Sequence, residues 1–264
     1  MVKVAYFGVP GAYSEIATIN AFDEKVERIS IPEIRDVFIA VQKKKADYGI
    51  LPIENSTAGS INQTYDELMH SKLFIVGEYY QKIEHCLLAK QNKIAKIKRV
   101  YSHPQALAQC SNFLRKNRFE QLATNDTAGS VKYLVQEDCA MIASESAAKI
   151  YGLKILEKNI QDDKNNTTRF IIVAKHESKK KEKCKTSVVF RTKHVPAALH
   201  KCMRGFATNG INLTKIESRP DGNWNYRFYL DFEGHKDDQK VKLALNELKM
   251  FSSYLKILGS YPRG

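Results

Sequence analysis

Short apolar runs alternate with amphipathic stretches over the first two-thirds of the chain, the pattern of a fold built from βα units. Segments 2–7, 48–52, 73–76, 86–89, 99–101, 139–143 and 170–174 read as strands. Helices are predicted to begin near Ser14, Pro32, Ser60, Pro104, Thr127 and Ser144, where Ser, Thr or Pro stands at a cap or first-turn position. After a charged interruption the order changes to strand 186–191, helix 196–208, strand 212–218, strand 224–232, helix 237–249 and strand 252–259. Arg219-Pro220-Asp221-Gly222 is the hairpin turn between the middle strands. This is a ferredoxin-like βαββαβ sandwich following a larger α/β body.

At 264 residues the chain is long enough for one large or two modest domains, and 43% hydrophobic and 10% aromatic content excludes a disordered or collagen-like chain. The five cysteines, Cys86, Cys110, Cys139, Cys184 and Cys202, never form a CxxC pair, so reduced buried thiols are expected and no metal or disulfide framework. The N-terminus enters a strand pattern directly and no apolar run approaches the ~18 residues of a bilayer span, so the expectation is a cytoplasmic protein with no membrane association.

Lys and Arg exceed Asp and Glu by 13, but residues 1–174 carry only +3 of this, 175–185 carry +4 and 186–264 carry +6. The run 176–185 has almost nothing to bury and reads as a solvated linker between residues 1–175 and 186–264. Basic residues interleaved with aromatics along one face are lacking, so no nucleic-acid partner is expected.

Candidate chemistry clusters at strand-to-helix junctions, where open α/β sheets bind ligands and helix starts offer N–H groups to anions. The strand ending at Pro52 delivers Glu54, Asn55 and Ser56 into a loop, and Gly59-Ser60 opens the next helix. The plainer alternative is that Ser56 and Ser60 only cap. Tyr101-Ser102-His103-Pro104-Gln105 puts a hydroxyl and an imidazole at a strand end, with Gln109 one helical turn beyond Gln105. Asn125-Asp126-Thr127 reads most simply as a helix cap. In Asn165-Asn166-Thr167-Thr168-Arg169-Phe170, Arg169 is suited to clamp a carboxylate and Thr168 offers a hydroxyl beside it. No nucleophile, base and acid triad can be assembled. Together these loops describe a cleft for a small organic anion.

Four blocks sharpen this reading: Pro52-Ile53-Glu54-Asn55-Ser56 with Gly59-Ser60, Tyr101-Ser102-His103-Pro104-Gln105 with Gln109, Asn166-Thr167-Thr168-Arg169-Phe170, and Glu217-Ser218-Arg219-Pro220. In order and spacing they resemble the prephenate dehydratase family across nearly the whole chain. The resemblance implies a bilobal α/β catalytic domain like type II periplasmic binding proteins, followed by an ACT regulatory domain. It also implies conversion of prephenate to phenylpyruvate without a metal or organic cofactor. No segment for a fused chorismate mutase precedes the first strand, so a monofunctional enzyme is expected.

The family's essential threonine matches Thr168, which would hydrogen-bond the departing hydroxyl, and the resemblance leaves the proton source open between Glu54 and His103. Asn55, Ser56, Ser60, Ser102, Gln109, Thr127, Arg169 and Phe170 are the expected substrate-binding residues. Arg169 would either grip the pyruvyl carboxylate or order Thr168; a clamp on the ring carboxylate would oppose decarboxylation. Feedback by L-phenylalanine would use Ala197, Ala198, Leu199, Asn209, Asn212, Leu213, Glu217, Ser218, Arg219 and Pro220. Ala197 stands where the family usually has glycine, which bears on any left-handed backbone there. A homodimer or homotetramer is implied. Arogenate dehydratase and a non-catalytic amino-acid sensor are the alternatives.

Overall fold

The alternating pattern resolves into three sheets in a computed structural model, which describes residues 1–22, 25–222 and 224–264. Two compact units result: Met1–Tyr65 with Tyr79–Phe170, and Asp66–Glu78 with Ile171–Gly264.

In the first sheet the spatial order is Glu27–Ile31, Lys3–Phe7, Tyr48–Asn55, Thr167–Ala174 and Phe74–Lys82, with the two-residue strand Gly59–Ser60 attached to Tyr48–Asn55. Lys3–Phe7 pairs in parallel with both neighbours, as crossover connections require. One crossover is the helix Ile34–Gln42, which buries Ile34, Val37, Phe38 and Val41, a single stripe at helical spacing. The second sheet has the order Lys154–Glu157, Cys86–Ala89, Cys139–Ala143, Arg99–Ser102 and Glu120–Ala123. Its two strands Cys86–Ala89 and Cys139–Ala143 are buried along their whole length. Leu87, Ala89, Ala140 and Ile142 enter one core, while Cys86, Leu88, Met141 and Ala143 enter the other. That division is the two-residue period of a strand with both faces covered.

Several boundaries differ from those predicted. The strand expected to end at Pro52 continues to Asn55, and the strand expected from Phe170 begins at Thr167, so Glu54, Asn55, Thr168 and Arg169 are strand residues and not loop residues. Ser60 does not open a helix: it pairs antiparallel with Glu54, and the helix is Asn62–His70. Thr127 precedes a 3-10 helix, Ala128–Tyr133. Strands Glu27–Ile31, Glu120–Ala123 and Lys154–Glu157 were not predicted; each is a sheet edge, where half-exposed polar sequence hides the apolar pattern.

From Cys184 the order is strand Cys184–Thr192, helix Ala198–Thr208, strands Leu213–Pro220 and Tyr226–Glu233, helix Gln239–Phe251 and strand Ser252–Pro262. The four strands form an antiparallel sheet in the order Leu213–Pro220, Tyr226–Glu233, Cys184–Thr192, Ser252–Pro262. Val188, Phe190, Leu230 and Phe232 pack against Cys202, Phe206, Val241, Ala244 and Leu248 of the two helices. Gly205 lets these helices approach, since a Cβ there would meet Glu247 Cβ at 3.0 Å and Ala244 Cα at 3.1 Å. The hairpin closes after Pro220, which pairs with Tyr226, and Asp221 receives Arg191 and Arg227.

The charged run is not solvated to its end. Cys184 and Lys185 already belong to the first strand of this sheet, and Lys185 is buried with Nζ donating to both Glu78 oxygens at 2.7 and 2.8 Å. Two buried charges are tolerated because each neutralises the other and further hydrogen bonds, including Gly264 N–H to Glu78, satisfy the carboxylate. Lys185→Met leaves Glu78 charged and buried, and is expected to lower unfolding free energy by about 3–5 kcal/mol in urea denaturation. Ala197, at the start of helix Ala198–Thr208, has φ +57°, a left-handed conformation that penalises a side chain. Ala197→Gly is expected to raise stability by about 1 kcal/mol in the same assay.

Candidate active site

Two strand ends from opposite parts of the sequence build the site. Ser56 N–H donates to Thr167 O at 2.9 Å and Thr167 N–H donates to Ser56 Oγ at 3.0 Å, which ties the end of Tyr48–Asn55 to the start of Thr167–Ala174. Ser56 therefore serves the backbone. Successive strand residues face opposite ways, so this junction produces two sets of contacts, Asn55 with Thr168 and Glu54 with Arg169.

The first set centres on the Asn55 carboxamide, which is 5% exposed. Its Oδ1 accepts from Thr57 N–H at 3.0 Å, Ala58 N–H at 3.0 Å, Thr57 Oγ1 at 2.7 Å and Gln109 Nε2 at 3.2 Å. Two of these donors are backbone amides, so the amide orientation is fixed. Nδ2 must then point the other way, where it donates to Asn166 Oδ1 at 2.8 Å and Thr168 Oγ1 at 2.9 Å. With a lone pair of Thr168 occupied by that N–H, its own O–H is left to donate. The second set is an ion pair: Arg169 is 3% exposed and its Nη1 lies 2.8 Å from Glu54 Oε1. The carboxylate that Arg169 clamps is thus one from the protein itself.

Gln109 extends the first set across the unit. It lies at the end of the helix Pro104–Gln109, with Gln105 one turn before it as predicted, and donates to Thr57 Oγ1 at 2.7 Å as well as to Asn55. Its Oε1 lies 3.0 Å from His85 Nε2. A cleft of about 610 Å³ adjoins these groups, with Thr57, Gln105, Gln109, Asp162, Asp163 and Asn166 among its lining residues. Asn166 is 1% exposed, and its Nδ2 has no hydrogen-bond partner. A buried donor without a partner beside a cleft is a ready contact for a ligand oxygen.

Other predicted residues stand differently. His103 caps the helix Pro104–Gln109, its Nδ1 accepting from Gln105 N–H at 3.2 Å. That bond requires an unprotonated Nδ1, and burial lowers the His103 pKa. Ser102 is fully buried and donates to Ile142 O at 2.8 Å, and Phe170 is a core residue at 2% exposure. Thr127 makes no side-chain cap; the Asp126 carboxylate occupies that turn by accepting from Gly129 N–H, which fits the simpler cap reading of this segment. Neither the Thr127 turn nor strand residue Ser60 supplies the open helix start foreseen for a substrate carboxylate. Among the described residues, no group of three or more His, Cys, Asp or Glu side chains is placed to hold a metal ion.

Asn166, Thr57 and His85 were not among the predicted site residues. Asn166 opens one of the quoted motif blocks and Thr57 directly follows another, whereas His85 stands alone before an apolar strand and gives no signal.

In the second unit the expected effector residues occupy helix Ala198–Thr208, its flanks and the edge strand Leu213–Pro220. Ala197 is the left-handed residue before the helix, followed by Ala198 and Leu199 in its first turn. Asn209 Nδ2 donates to Gly205 O at 2.8 Å, Asn212 O accepts from Glu233 N–H at 3.0 Å, and Leu213 is half-buried in the core. Glu217 pairs with Lys215 at 3.1 Å, and Ser218 and Pro220 are exposed. Arg219 and Arg227 converge on Asp66 at 3.1 and 2.9 Å.

Residues 4–178 match a family model described as prephenate dehydratase. The chain is 41% identical over 267 residues to the bifunctional chorismate mutase/prephenate dehydratase of Aquifex aeolicus (strain VF5), covering 99% of this chain and 74% of that protein. It is 44% identical over 283 residues to arogenate dehydratase 2 of Petunia hybrida, covering 99% and 72%. Among solved structures, it resembles prephenate dehydratase in complex with L-Phe from Arthrobacter aurescens, with TM-score 0.91, 30% identity and coverage of 99% and 90%. It also resembles GqqA, described as a novel type of quorum quenching acylase, with TM-score 0.89, 33% identity and coverage of 99% and 98%.

Burial lowers the pKa of both His85 and His103 below the ordinary 6.5, so in acid the unfolded chain takes up protons that the folded one refuses. Their stabilising effect is full above pH 6.5 and is lost as the pH falls through the folded-state values. Urea melts between pH 8 and 5 are expected to show stability declining below about pH 6.5. The decline should be shallower in His103→Asn, whose side-chain oxygen can still cap.

Proposed function

The chain belongs to the prephenate dehydratase family, and from that premise we propose that its hydro-lyase activity converts prephenate to phenylpyruvate, carbon dioxide and water. The ring carboxylate carbon leaves as carbon dioxide, its bonding electrons pass through the diene, and the C4–O bond breaks as the departing oxygen gains a proton. Aromatisation supplies the driving force. The enzyme must supply orientation and a hydrogen-bond donor for a poor leaving group.

The observation that carries this reading is Asn55 Nδ2–H donating to Thr168 Oγ1. Thr168 is 8% exposed, so its hydroxyl has one partner fixed by the protein and a proton to offer the leaving oxygen. It is bonded to an amide and not to an imidazole or carboxylate, an arrangement suited to a donor; a nucleophile requires a base. Arg169 and Glu54 support the strand from the other side, and Arg169 orders Thr168 through that pair in place of gripping substrate. His103 is engaged as a cap and Glu54 pairs with Arg169, so the donor proposed for the leaving oxygen is the Thr168 hydroxyl itself. Asn166 Nδ2 and Gln109 are the groups proposed to meet the substrate's oxygens from the cleft.

The proposal extends to an ACT domain at residues 186–264, following a linker at 176–185, and to a periplasmic-binding-protein-like arrangement of residues 1–175. Its support is the βαββαβ element order and the intact Glu217-Ser218-Arg219-Pro220 block. L-Phenylalanine is the proposed effector, in keeping with its presence in the complex from Arthrobacter aurescens. A homodimer or homotetramer is proposed because Leu213–Pro220 is an edge strand with one ladder side available. A cytoplasmic location accords with five free, buried cysteines.

Purified protein incubated with prephenate is expected to release phenylpyruvate, with turnover lowered by added L-phenylalanine. Thr168→Val should reduce kcat by about 10²–10⁴. No turnover by the wild type would sink the enzyme reading, and undiminished turnover by Thr168→Val would sink the role of Thr168.

A further inference from the structure

A carboxamide is nearly symmetric in shape, so the hydrogen bonds of Gln109 decide which end faces Asn55. Toward the cleft, the acceptors Asn55 Oδ1 and Thr57 Oγ1 require the Nε2 end. Asn55 Oδ1 has only acceptor capacity, and the Thr57 hydroxyl is already directed to it at 2.7 Å. A Gln109 turned over would set its oxygen against Asn55 Oδ1. The contact that opposes this lies on the far side, where His85 Nε2 is 3.0 Å from Gln109 Oε1. Because Gln109 Oε1 can only accept, His85 Nε2 must carry the proton.

His85 is itself held firmly. Its backbone N–H donates to Gln161 Oε1 at 2.9 Å, its backbone oxygen accepts from Ile160 N–H at 3.0 Å, and its ring meets Tyr13 edge-on at 5.6 Å between centroids. Tyr13 O–H donates to Glu84 O at 2.6 Å and lies 3.3 Å from His85 Nδ1. His85 is 2% exposed, with Nε2 turned to Gln109 and Nδ1 covered by the Tyr13 hydroxyl, so it is not offered to substrate as an acid or base.

We propose that His85 is a positioning residue for the elimination: its Nε2–H, donated to Gln109 Oε1, orients the Gln109 amide and through it Asn55 and the Thr168 hydroxyl. This rests on the reading of Thr168 as donor to the leaving oxygen. The path is continuous, from His85 to Gln109, from Gln109 to Asn55 Oδ1, and from Asn55 Nδ2 to Thr168 Oγ1. It reaches the reacting centre without a contact between His85 and substrate, so its loss should lower kcat more than it raises KM.

The test combines a double-mutant cycle with a measurement on the unmodified protein. His85→Leu is expected to lower kcat by roughly ten-fold, the scale of one buried hydrogen bond, with KM changed by less than about three-fold. In a Gln109→Ala background the same substitution should change kcat by less than about two-fold, because the group through which it acts is gone. His85→Gln, which can present an N–H near the Nε2 position, should recover most of the wild-type kcat. Equal losses in both backgrounds, or an unchanged kcat in His85→Leu, would overturn the proposal. Long-range ¹H–¹⁵N correlation spectra of wild-type protein at pH 7.5 should show His85 as the Nε2–H tautomer; an Nδ1–H tautomer or an imidazolium would overturn it even if the variants fail to fold. Absence of prephenate turnover by the wild type is a failure of the enzyme reading and is distinct from these outcomes, since the tautomer reports on His85 alone.

Discussion

The candidate site depends on the Asn55 carboxamide. One planar group accepts from two backbone N–H groups, the Thr57 hydroxyl and Gln109 on its oxygen side, and donates to Asn166 and Thr168 on its nitrogen side. These partners come from three places: the turn after the strand, the helix Pro104–Gln109, and Asn166 and Thr168 at the entry to the strand Thr167–Ala174. At 5% exposure water cannot replace the lost bonds, so removing the amide would leave several buried polar groups unsatisfied at ~1–3 kcal/mol each. Aspartate would keep the acceptor side but lose the donors to Thr168 and Asn166. The shape of the site thus follows from the need to satisfy one buried amide completely.

Strand alternation then sorts the chemistry. Glu54 and Arg169 immediately neighbour Asn55 and Thr168 in sequence yet form a separate contact, an ion pair that stiffens the same two strand ends. The charge of Arg169 is balanced within the protein by Glu54. Beside the cleft, Asn166 Nδ2 is a buried donor without a hydrogen-bond partner. The excess positive charge lies elsewhere, in the segment from 175 onward.

Within the second unit, charge has a structural use as well. Lys185 and Glu78 form a buried pair, Arg219 and Arg227 share Asp66, and Lys256 Nζ donates to the carbonyls of Leu68 and Met69 at 2.9 Å each. The segment Asp66–Glu78 is far from residues 171–264 in sequence but is held to them by these contacts. Lys256 acts on the last carbonyls of helix Asn62–His70, where a cation is favoured by the helix dipole. Burial lowers the Lys256 pKa, and the carbonyl oxygens of Leu68, Met69 and Ser71 accept from its Nζ in place of water.

The sequence by itself determined the order of the buried elements, because apolar residues repeat there with the period of a strand or a helix, while the edge strands Glu27–Ile31, Glu120–Ala123 and Lys154–Glu157 escaped it. It marked the strands Cys86–Ala89 and Cys139–Ala143, the helix carrying Gln105 and Gln109, and the βαββαβ order after Cys184. Its motifs also named Glu54, Asn55, Gln109, Thr168 and Arg169. The tertiary structure decided what each of them touches. The strand ends at Asn55 and Thr167 were illegible because polar side chains interrupt the apolar pattern there, while reciprocal Ser56–Thr167 bonds keep the backbone extended. His103, prominent in a motif, proved to be a helix cap, and His85, outside every motif, proved to be bonded to Gln109. Residue type and spacing carry periodicity, but the partner of a buried polar group is set by which distant strands and helices meet, and that only the folded chain specifies.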